Sequence, residues 1–176
     1  LVTGCSGFIG HNLTKKLLIN GYKVIGLDNL NSYYDPVLKK ARLEDIKSFI
    51  TENNISQENF QFFKKDICRR PDVKGIFSKF KIEKVCHLAA QAGVRYSITN
   101  PETYVDSNIH GTINILEACK DYQISDFIFA STSSVYGLSQ DMPFSEDTSI
   151  DSTISTYSAT KRCCELIVQA FQFVHY

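Results

Sequence analysis

Two side chains four residues apart could do chemistry together: the tyrosine and lysine of Tyr157-Ser-Ala-Thr-Lys161. In a helix this spacing puts phenol and ammonium on one face, one turn apart. A neighbouring ammonium favours the phenolate, and a phenol that can release its proton near neutral pH is a general base for an alcohol or sugar hydroxyl. The hydroxyl-rich segment Ser131-Thr-Ser-Ser-Val-Tyr-Gly137 precedes the pair, and its Thr132 would orient that hydroxyl. The pair alone is a weak signal. With nine tyrosines and abundant lysine, about one Y-x-x-x-K match arises by chance in such a chain. Its meaning depends on the elements that bring Thr132, Tyr157 and Lys161 together.

Those elements alternate. Leu1-Val2 reads as the stub of a strand, followed by a helix from Phe8 to Asn20; Tyr22 to Leu27 is a second strand ending at Asp28. A polar loop to Pro36 leads into a helix reaching Glu52. Phe60 to Phe63 is a third strand with a helix from Pro71 to Phe80, and Lys84 to Ala89 a fourth. Pro101 opens a long helix to Tyr122, since proline is tolerated in a helix's first turn. Phe127 to Ala130 is a fifth strand, and a helix runs on from Thr156. Strands alternating with helices predict an α/β fold, a Rossmann-type doubly wound parallel sheet covered on both faces. Ligands of such sheets sit beyond the C-terminal strand ends, at the switch point of the strand order.

The remaining polar candidates fall at those ends. Gly4-Cys-Ser-Gly7-Phe8-Ile9-Gly10 joins the first strand to the first helix. Its glycines let the chain turn sharply and let a pyrophosphate approach backbone N–H groups at the helix N-terminus. The G-x-x-G-x-x-G spacing differs from the common G-x-G-x-x-G fingerprint, and by itself it also describes an ordinary tight turn. Asp28, with Asn29 beside it, stands where a ribose-binding carboxylate belongs and would favour NAD over NADP. Together the two signals predict dinucleotide binding. Asp66 and Ile67 could flank the adenine, or be a solvated turn. Leu88, Ala89, Ala90 and Gln91 end the fourth strand in mostly small residues that would let backbone pack against the cofactor. Asn108 interrupts the long helix, where its propensity is poor; it is counted with the cofactor set, as a residue that could bond backbone near strand four and hold the catalytic segment.

Bulk properties exclude other classes. The chain has 176 residues, 43% hydrophobic and 22% charged, with zero formal net charge, which fits one globular domain. Its basic residues are scattered among acids, which argues against nucleic acid. The six cysteines form no C-x-x-C pair and read as free thiols in a reducing, cytoplasmic setting. No His or Cys cluster has metal-ligand spacing, so no metal is expected. His87 reads as a packed strand residue. Both chain ends read as cut from something longer, leaving residues 1–176 as one domain with a clipped first strand.

These residues together resemble the extended short-chain dehydrogenase/reductase superfamily, and within it the nucleotide-sugar epimerases. Gly4, Gly7 and Gly10 match the glycine loop, Asp28 the NAD-ribose acid, and Thr132, Tyr157 and Lys161 the catalytic Ser/Thr, Tyr and Lys. Leu27-Asp-Asn-Leu-Asn-Ser-Tyr-Tyr-Asp-Pro36, Lys40-Ala-Arg-Leu43 and His87-Leu-Ala-Ala-Gln-Ala-Gly-Val-Arg-Tyr-Ser97 look like UDP-glucuronate 4-epimerases. The resemblance implies NAD as cofactor, with Tyr157 and Lys161 also touching it, and a UDP-sugar epimerised by transient C4 oxidation and hydride return. It further implies a homodimer through the helices after strands four and five, and a C-terminal nucleotide-sugar domain without counterpart in the chain. The dehydratases of this superfamily carry Asp-Glu after the catalytic Thr, and the decarboxylases a Glu at the second position. Here both are hydroxyls, Ser133 and Ser134, which could hydrogen-bond a uronate carboxylate, with Arg95 as a charged contact. The alternatives are another UDP-sugar epimerase, dehydratase or decarboxylase, or a non-catalytic NAD-binding module.

Overall fold

The computed structural model describes residues 1–140, 142–148, 150 and 152–175. Five parallel strands form one sheet: β1 (Val2–Thr3), β2 (Val24–Asp28), β3 (Phe60–Lys64), β4 (Lys84–His87) and β5 (Asp126–Phe129), in the order β3-β2-β1-β4-β5. Thr3 pairs in register with Leu27 on one side and His87 on the other, and His87 with Phe129. The strand order reverses direction between β1 and β4, so the crevice at that point lies above Thr3 and His87. The predicted fold class is therefore the observed one.

Helices cover both faces. On one side α1 (Phe8–Ile19) and α2 (Pro36–Glu52) bury Leu18, Leu43, Ile46 and Ile50 against Val2 and Val24. On the other, α3 (Arg70–Lys79) and α6 (Gly111–Asp121) bury Val73, Ile76, Phe77 and Ile115 against Leu27 and Val85. Asp35 caps α2, its carboxylate accepting from Val37 N at 2.8 Å with Pro36 in the first turn, the arrangement that satisfies an otherwise orphaned donor. The six cysteines are free thiols. No helix among the described residues is long and apolar enough to cross a membrane.

Three departures from the sequence reading concern the site. β4 ends at His87 rather than at Ala89, because the Thr3 hydroxyl oxygen takes the Leu88 and Ala89 N–H groups at 3.1 Å each and turns the chain out of the sheet. A short helix, α4 (Val94–Thr99), follows Gly93, whose φ is +99°, and ends where Asn100 precedes Pro101, a position that disfavours helix. The long helix over 101–121 is interrupted: α5 (Pro101–Tyr104) passes through a π turn, Val105–His110, before α6. Finally, α7 (Thr156–His175) starts on a reciprocal pair, Ser158 N to Ser155 Oγ and Ser155 N to Ser158 Oγ, both 3.1 Å. This is a serine version of the capping box, and it sets Tyr157 in the helix's first turn.

The glycine loop explains its own spacing. Gly4 adopts φ +70°, and a Cβ on Gly10 would lie 2.1 Å from Gly4 O, so the loop and the first turn of α1 touch backbone to backbone. Backbone cannot give way there. Gly10→Ala is expected to lower stability by about 1–3 kcal/mol, read as a lowered midpoint in denaturant; a wild-type midpoint would contradict the close approach.

Candidate active site

A cavity of about 350 Å³ opens along the C-terminal ends of all five strands. It is lined by Gly4, Gly7, Phe8, Ile9 and Gly10 after β1, Asp28 and Asn29 after β2, Lys65, Asp66 and Ile67 after β3, Leu88 to Ala92 after β4, and Ala130 after β5. Every cofactor-binding candidate from the sequence lines it except Asn108, Tyr157 and Lys161. No side chain caps α1 at Gly7, so the first N–H groups of that helix keep their hydrogen-bonding capacity for a ligand.

Asp28 is 6% exposed and already engaged. Its Oδ2 accepts from Ser6 N at 3.2 Å and its Oδ1 from Leu30 N at 2.8 Å, with Lys39 Nζ 3.7 Å from Oδ1. Asp66 closes its own turn, accepting from Cys68 N at 2.9 Å, and takes Asn29 Nδ2 at 3.1 Å. The loop between β2 and α2 forms a wall: Asn31, Tyr33, Tyr34 and Lys39 all line the cavity. Tyr33 packs on Tyr96 at 5.0 Å between ring centroids, and a Cβ on Gly93 would strike the Tyr33 hydroxyl. The sequence marked this loop as polar and as part of the family resemblance, without giving Asn31, Tyr33 or Tyr34 a place in the site. Lys39 left no signal, because a lysine beside Lys40 on a helix reads as solvated, yet Lys39 is 5% exposed while Lys40 is exposed.

Asn108 needs a correction. It is 1% exposed, and its amide is engaged by protein: Oδ1 accepts from Gln91 N at 2.8 Å, and Nδ2 donates to Gln91 O at 3.1 Å and to Thr160 Oγ1 at 3.0 Å. It is therefore a positioning residue that joins the β4 loop to α7, as its poor helix propensity had suggested, rather than a cofactor contact. Its own carbonyl accepts from the buried Cys164 thiol at 3.1 Å.

The catalytic candidates sit on two elements that pack together, the turn after β5 and α7. Thr132 starts a 3-10 turn, Ser133–Tyr136, which packs against α7. Its Oγ1 accepts from Ser134 N at 3.2 Å, which leaves its hydroxyl proton free to donate. Ser131 hydrogen-bonds Glu165, and Glu165 pairs with Arg162 at 2.9 Å, tying the end of β5 to the helix that carries Tyr157 and Lys161. Tyr157 meets Tyr104 edge-on at 6.0 Å between centroids. The Tyr104 hydroxyl reaches Ala92 O and Gly93 O at 2.9 and 2.6 Å, so the ring against Tyr157 is itself anchored to the β4 loop. Ser133 is exposed, Ser134 half-buried, and Arg95 exposed on α4.

Beneath them lies a buried polar core. The Thr3 oxygen accepts two backbone N–H groups, so its proton goes to His87 Nδ1 at 2.7 Å, and His87 Nε2–H donates to Thr112 Oγ1 at 3.1 Å. Burial, then the Lys161 charge, drives His87 down to about 3, so it is a neutral packed residue, as the sequence implied. Lys161 is 4% exposed, and its ammonium lies 4.1 Å above the Phe129 ring centroid. Among the described residues no hydrogen bond or ion pair holds it, and burial lowers its pKa to about 8, against a pull upward from Cys164 and Glu165.

Residues 1–175 match the family model described as GDP-mannose 4,6 dehydratase. The chain is 45% identical over 175 residues to the UDP-glucuronate 4-epimerase of Thermodesulfobacterium geofontis, covering 99% of itself and 51% of that relative. Among solved structures it is similar to UDP-glucuronic acid 4-epimerase from Bacillus cereus in complex with UDP-glucuronic acid and NAD, with TM-score 0.83, 35% identity, and 99% and 52% of the two chains covered. It is also similar to UDP-glucose 4-epimerase from Bifidobacterium longum in complex with NAD+ and UDP, with TM-score 0.84, 26% identity, and 98% and 48% covered. The chain spans about half the length of these relatives.

Lys161 yields a pH prediction. A lysine lowered from 10.5 to about 8 on folding binds fewer protons folded than unfolded between those values, so stability rises with pH across that window and the full cost, about 3 kcal/mol, applies below it. Lys161→Met without cofactor should therefore melt higher than wild type at pH 7, with the gap closing between pH 8 and 10.5. A gap independent of pH would contradict an unpaired buried ammonium. By sheet topology, by the site's layout and by these matches, the chain belongs to the GDP-mannose 4,6 dehydratase family of extended short-chain dehydrogenase/reductases.

Proposed function

We propose that residues 1–176 are the NAD-binding half of a UDP-sugar 4-epimerase that converts UDP-glucuronate to UDP-galacturonate. The observation that carries this reading is the packing of the turn that Thr132 starts against α7, the helix of Tyr157 and Lys161, with Lys161 over Phe129 at the end of β5, in a chain whose strand ends open on a cavity lined by the glycine loop and Asp28. The residues fit a dinucleotide. α1 starts at the cavity on Gly7 with no side-chain cap, which leaves its first N–H groups for a pyrophosphate, and among the described residues the buried Gln91 Nε2 at the cavity wall has no hydrogen-bond partner. Gly4, Gly7, Phe8, Ile9 and Gly10 would hold the pyrophosphate, Asp28 and Asn29 the adenosine ribose, Asp66 and Ile67 the adenine, and Leu88 to Gln91 the middle of the molecule.

NAD, when bound, supplies a hydride acceptor that takes the C4 hydrogen and gives it back. The chain's own residues handle the rest. Tyr157 accepts the C4 hydroxyl proton at its phenolic oxygen and returns it. Lys161, one turn further along α7, has hydrogens left to donate to the nicotinamide ribose. Thr132 donates its remaining proton to the sugar oxygen. A C4 ketone lies β to the C6 carboxylate, so the oxidised sugar is prone to losing CO2. Ser133 and Ser134, with Arg95, would hold that carboxylate in place.

The dehydratase described by the family model is the less well supported reading. Removing water across C5 and C6 needs an acid and a base beside the catalytic threonine, and hydroxyls at 133 and 134 offer neither at neutral pH. The names of the relatives UDP-glucuronate 4-epimerase and UDP-glucuronate 4-epimerase 4, 45% and 42% identical to the chain, support the epimerase reading. A homodimer is proposed through the helices after β4 and β5, which leave Ile98 and Leu166 exposed.

Two experiments test the assignment. Tyr157→Phe should lower turnover by about 10²–10⁴-fold while NADH binding, followed by fluorescence, stays within threefold; near wild-type turnover would remove the proposed base. Ser133→Ala and Ser134→Ala should each reduce the preference for UDP-glucuronate over UDP-glucose by about tenfold, as expected for losing a hydrogen bond to a charged group. Unchanged preference in both would sink the carboxylate role.

A further inference from the structure

We infer that Lys39, from inside α2, sets how strongly this pocket discriminates between NAD and NADP. The inference rests on the dinucleotide reading above and deepens it. Asp28 is the residue that would repel a 2′-phosphate, which brings nearly two negative charges. Its carboxylate does not stand alone. Lys39 Nζ lies 3.7 Å from Asp28 Oδ1, too far for a hydrogen bond but close enough to cancel much of the charge, and both side chains are 7% exposed. The short contact of the ammonium is with Asn31 Oδ1 at 2.8 Å, and its open side faces the Tyr34 ring at 4.9 Å. Of its three N–H groups one is engaged at hydrogen-bond distance, and the residue lines the cavity next to Asp28 and Asn29.

The other cations near this end are otherwise engaged. Lys65 lines the cavity but pairs with Asp72 at 3.0 Å. Arg42 donates to Ser6 O at 3.2 Å and Tyr34 Oη at 3.0 Å, behind the loop. Among the described residues Lys39 is thus the cavity-lining cation with spare donors beside Asp28, where the 2′ position would fall. Its burial keeps salt from screening it as a surface lysine would be screened. An attracting charge and a repelling one sit side by side where NAD and NADP differ, and the balance between them fixes the preference. Neither composition nor motif reveals this, because the glycine loop and Asp28 alone describe a plain NAD site.

Titrating NADH and NADPH by nicotinamide fluorescence against wild type, Asp28→Asn, Lys39→Gln and the double variant tests it, with melting curves as the check on folding. Asp28→Asn should tighten NADPH at least tenfold, because Lys39 is then unopposed. Adding Lys39→Gln should return at least tenfold of that gain, and Lys39→Gln alone should raise the ratio of NADPH to NADH dissociation constants at least fivefold. If Lys39→Gln fails to fold, Lys39→Met, which keeps the buried stem, takes its place with the same expected ratios. A double variant that binds NADPH as tightly as Asp28→Asn overturns the role of Lys39. Failure of every form, wild type included, to bind NADH contradicts the dinucleotide reading itself.

Discussion

The Asn108 amide grips the Gln91 backbone from both sides and reaches Thr160 across to the next helix. It sits in the π turn of the long helix and is 1% exposed, out of reach of bulk solvent. Leaving the Gln91 N–H and C=O without partners would cost about 1–3 kcal/mol apiece, so the contact is strongly specified. Much of the site hangs from it. Gln91 ends the segment that lines the middle of the cavity, Thr160 stands beside Lys161 on α7, and the Asn108 carbonyl accepts the Cys164 thiol one turn further along. A π turn is a local irregularity with a helical cost, and such turns recur at functional sites. Here it puts one asparagine where three segments meet.

Around that clamp the charges are arranged ahead of any ligand. Lys161 is buried over an aromatic ring with no ion pair among the described residues, which is unfavourable for the folded chain but leaves its hydrogens for a ligand. Asp28 and Lys39 face each other at the adenosine end with further hydrogen bonds from Ser6 and Leu30. His87 stays neutral between Thr3 and Thr112, so it holds β1, β4 and α6 in register without adding a second cation beneath Lys161. Preorganised polar groups of this kind stabilise charge that develops during reaction without reorganising at that moment. The stability lost at Lys161 and the donors left open there have one cause, its burial.

Much of this was legible in the residues. Strand–helix alternation is written in apolar runs and breakers, and all five strands and the helices containing the functional residues fall within a few residues of where the pattern puts them. The glycine loop and Asp28 were readable because turns and ribose acids have fixed places in such folds. What could not be read depends on tertiary partners. α4 is six residues long and exists because Gly93 and Pro101 bound it. The early end of β4 follows from one threonine hydroxyl on a neighbouring strand. Lys39 and Tyr104 look like ordinary surface and core residues until the loop from β2 and the helix after β4 are placed against the cavity. Asn108 was visible as an anomaly, but its partners were 17 and 52 residues away.

Tyr157, Lys161 and Thr132 are proposed to serve a redox-neutral inversion at C4 in which the carboxylate is kept. Incubating the full-length protein with NAD and UDP-glucuronate deuterated at C4, and following the products by NMR, decides it. The expected product is UDP-galacturonate with the deuterium retained at C4 and no CO2 released. Release of CO2 or loss of the label to solvent would rule that inversion out.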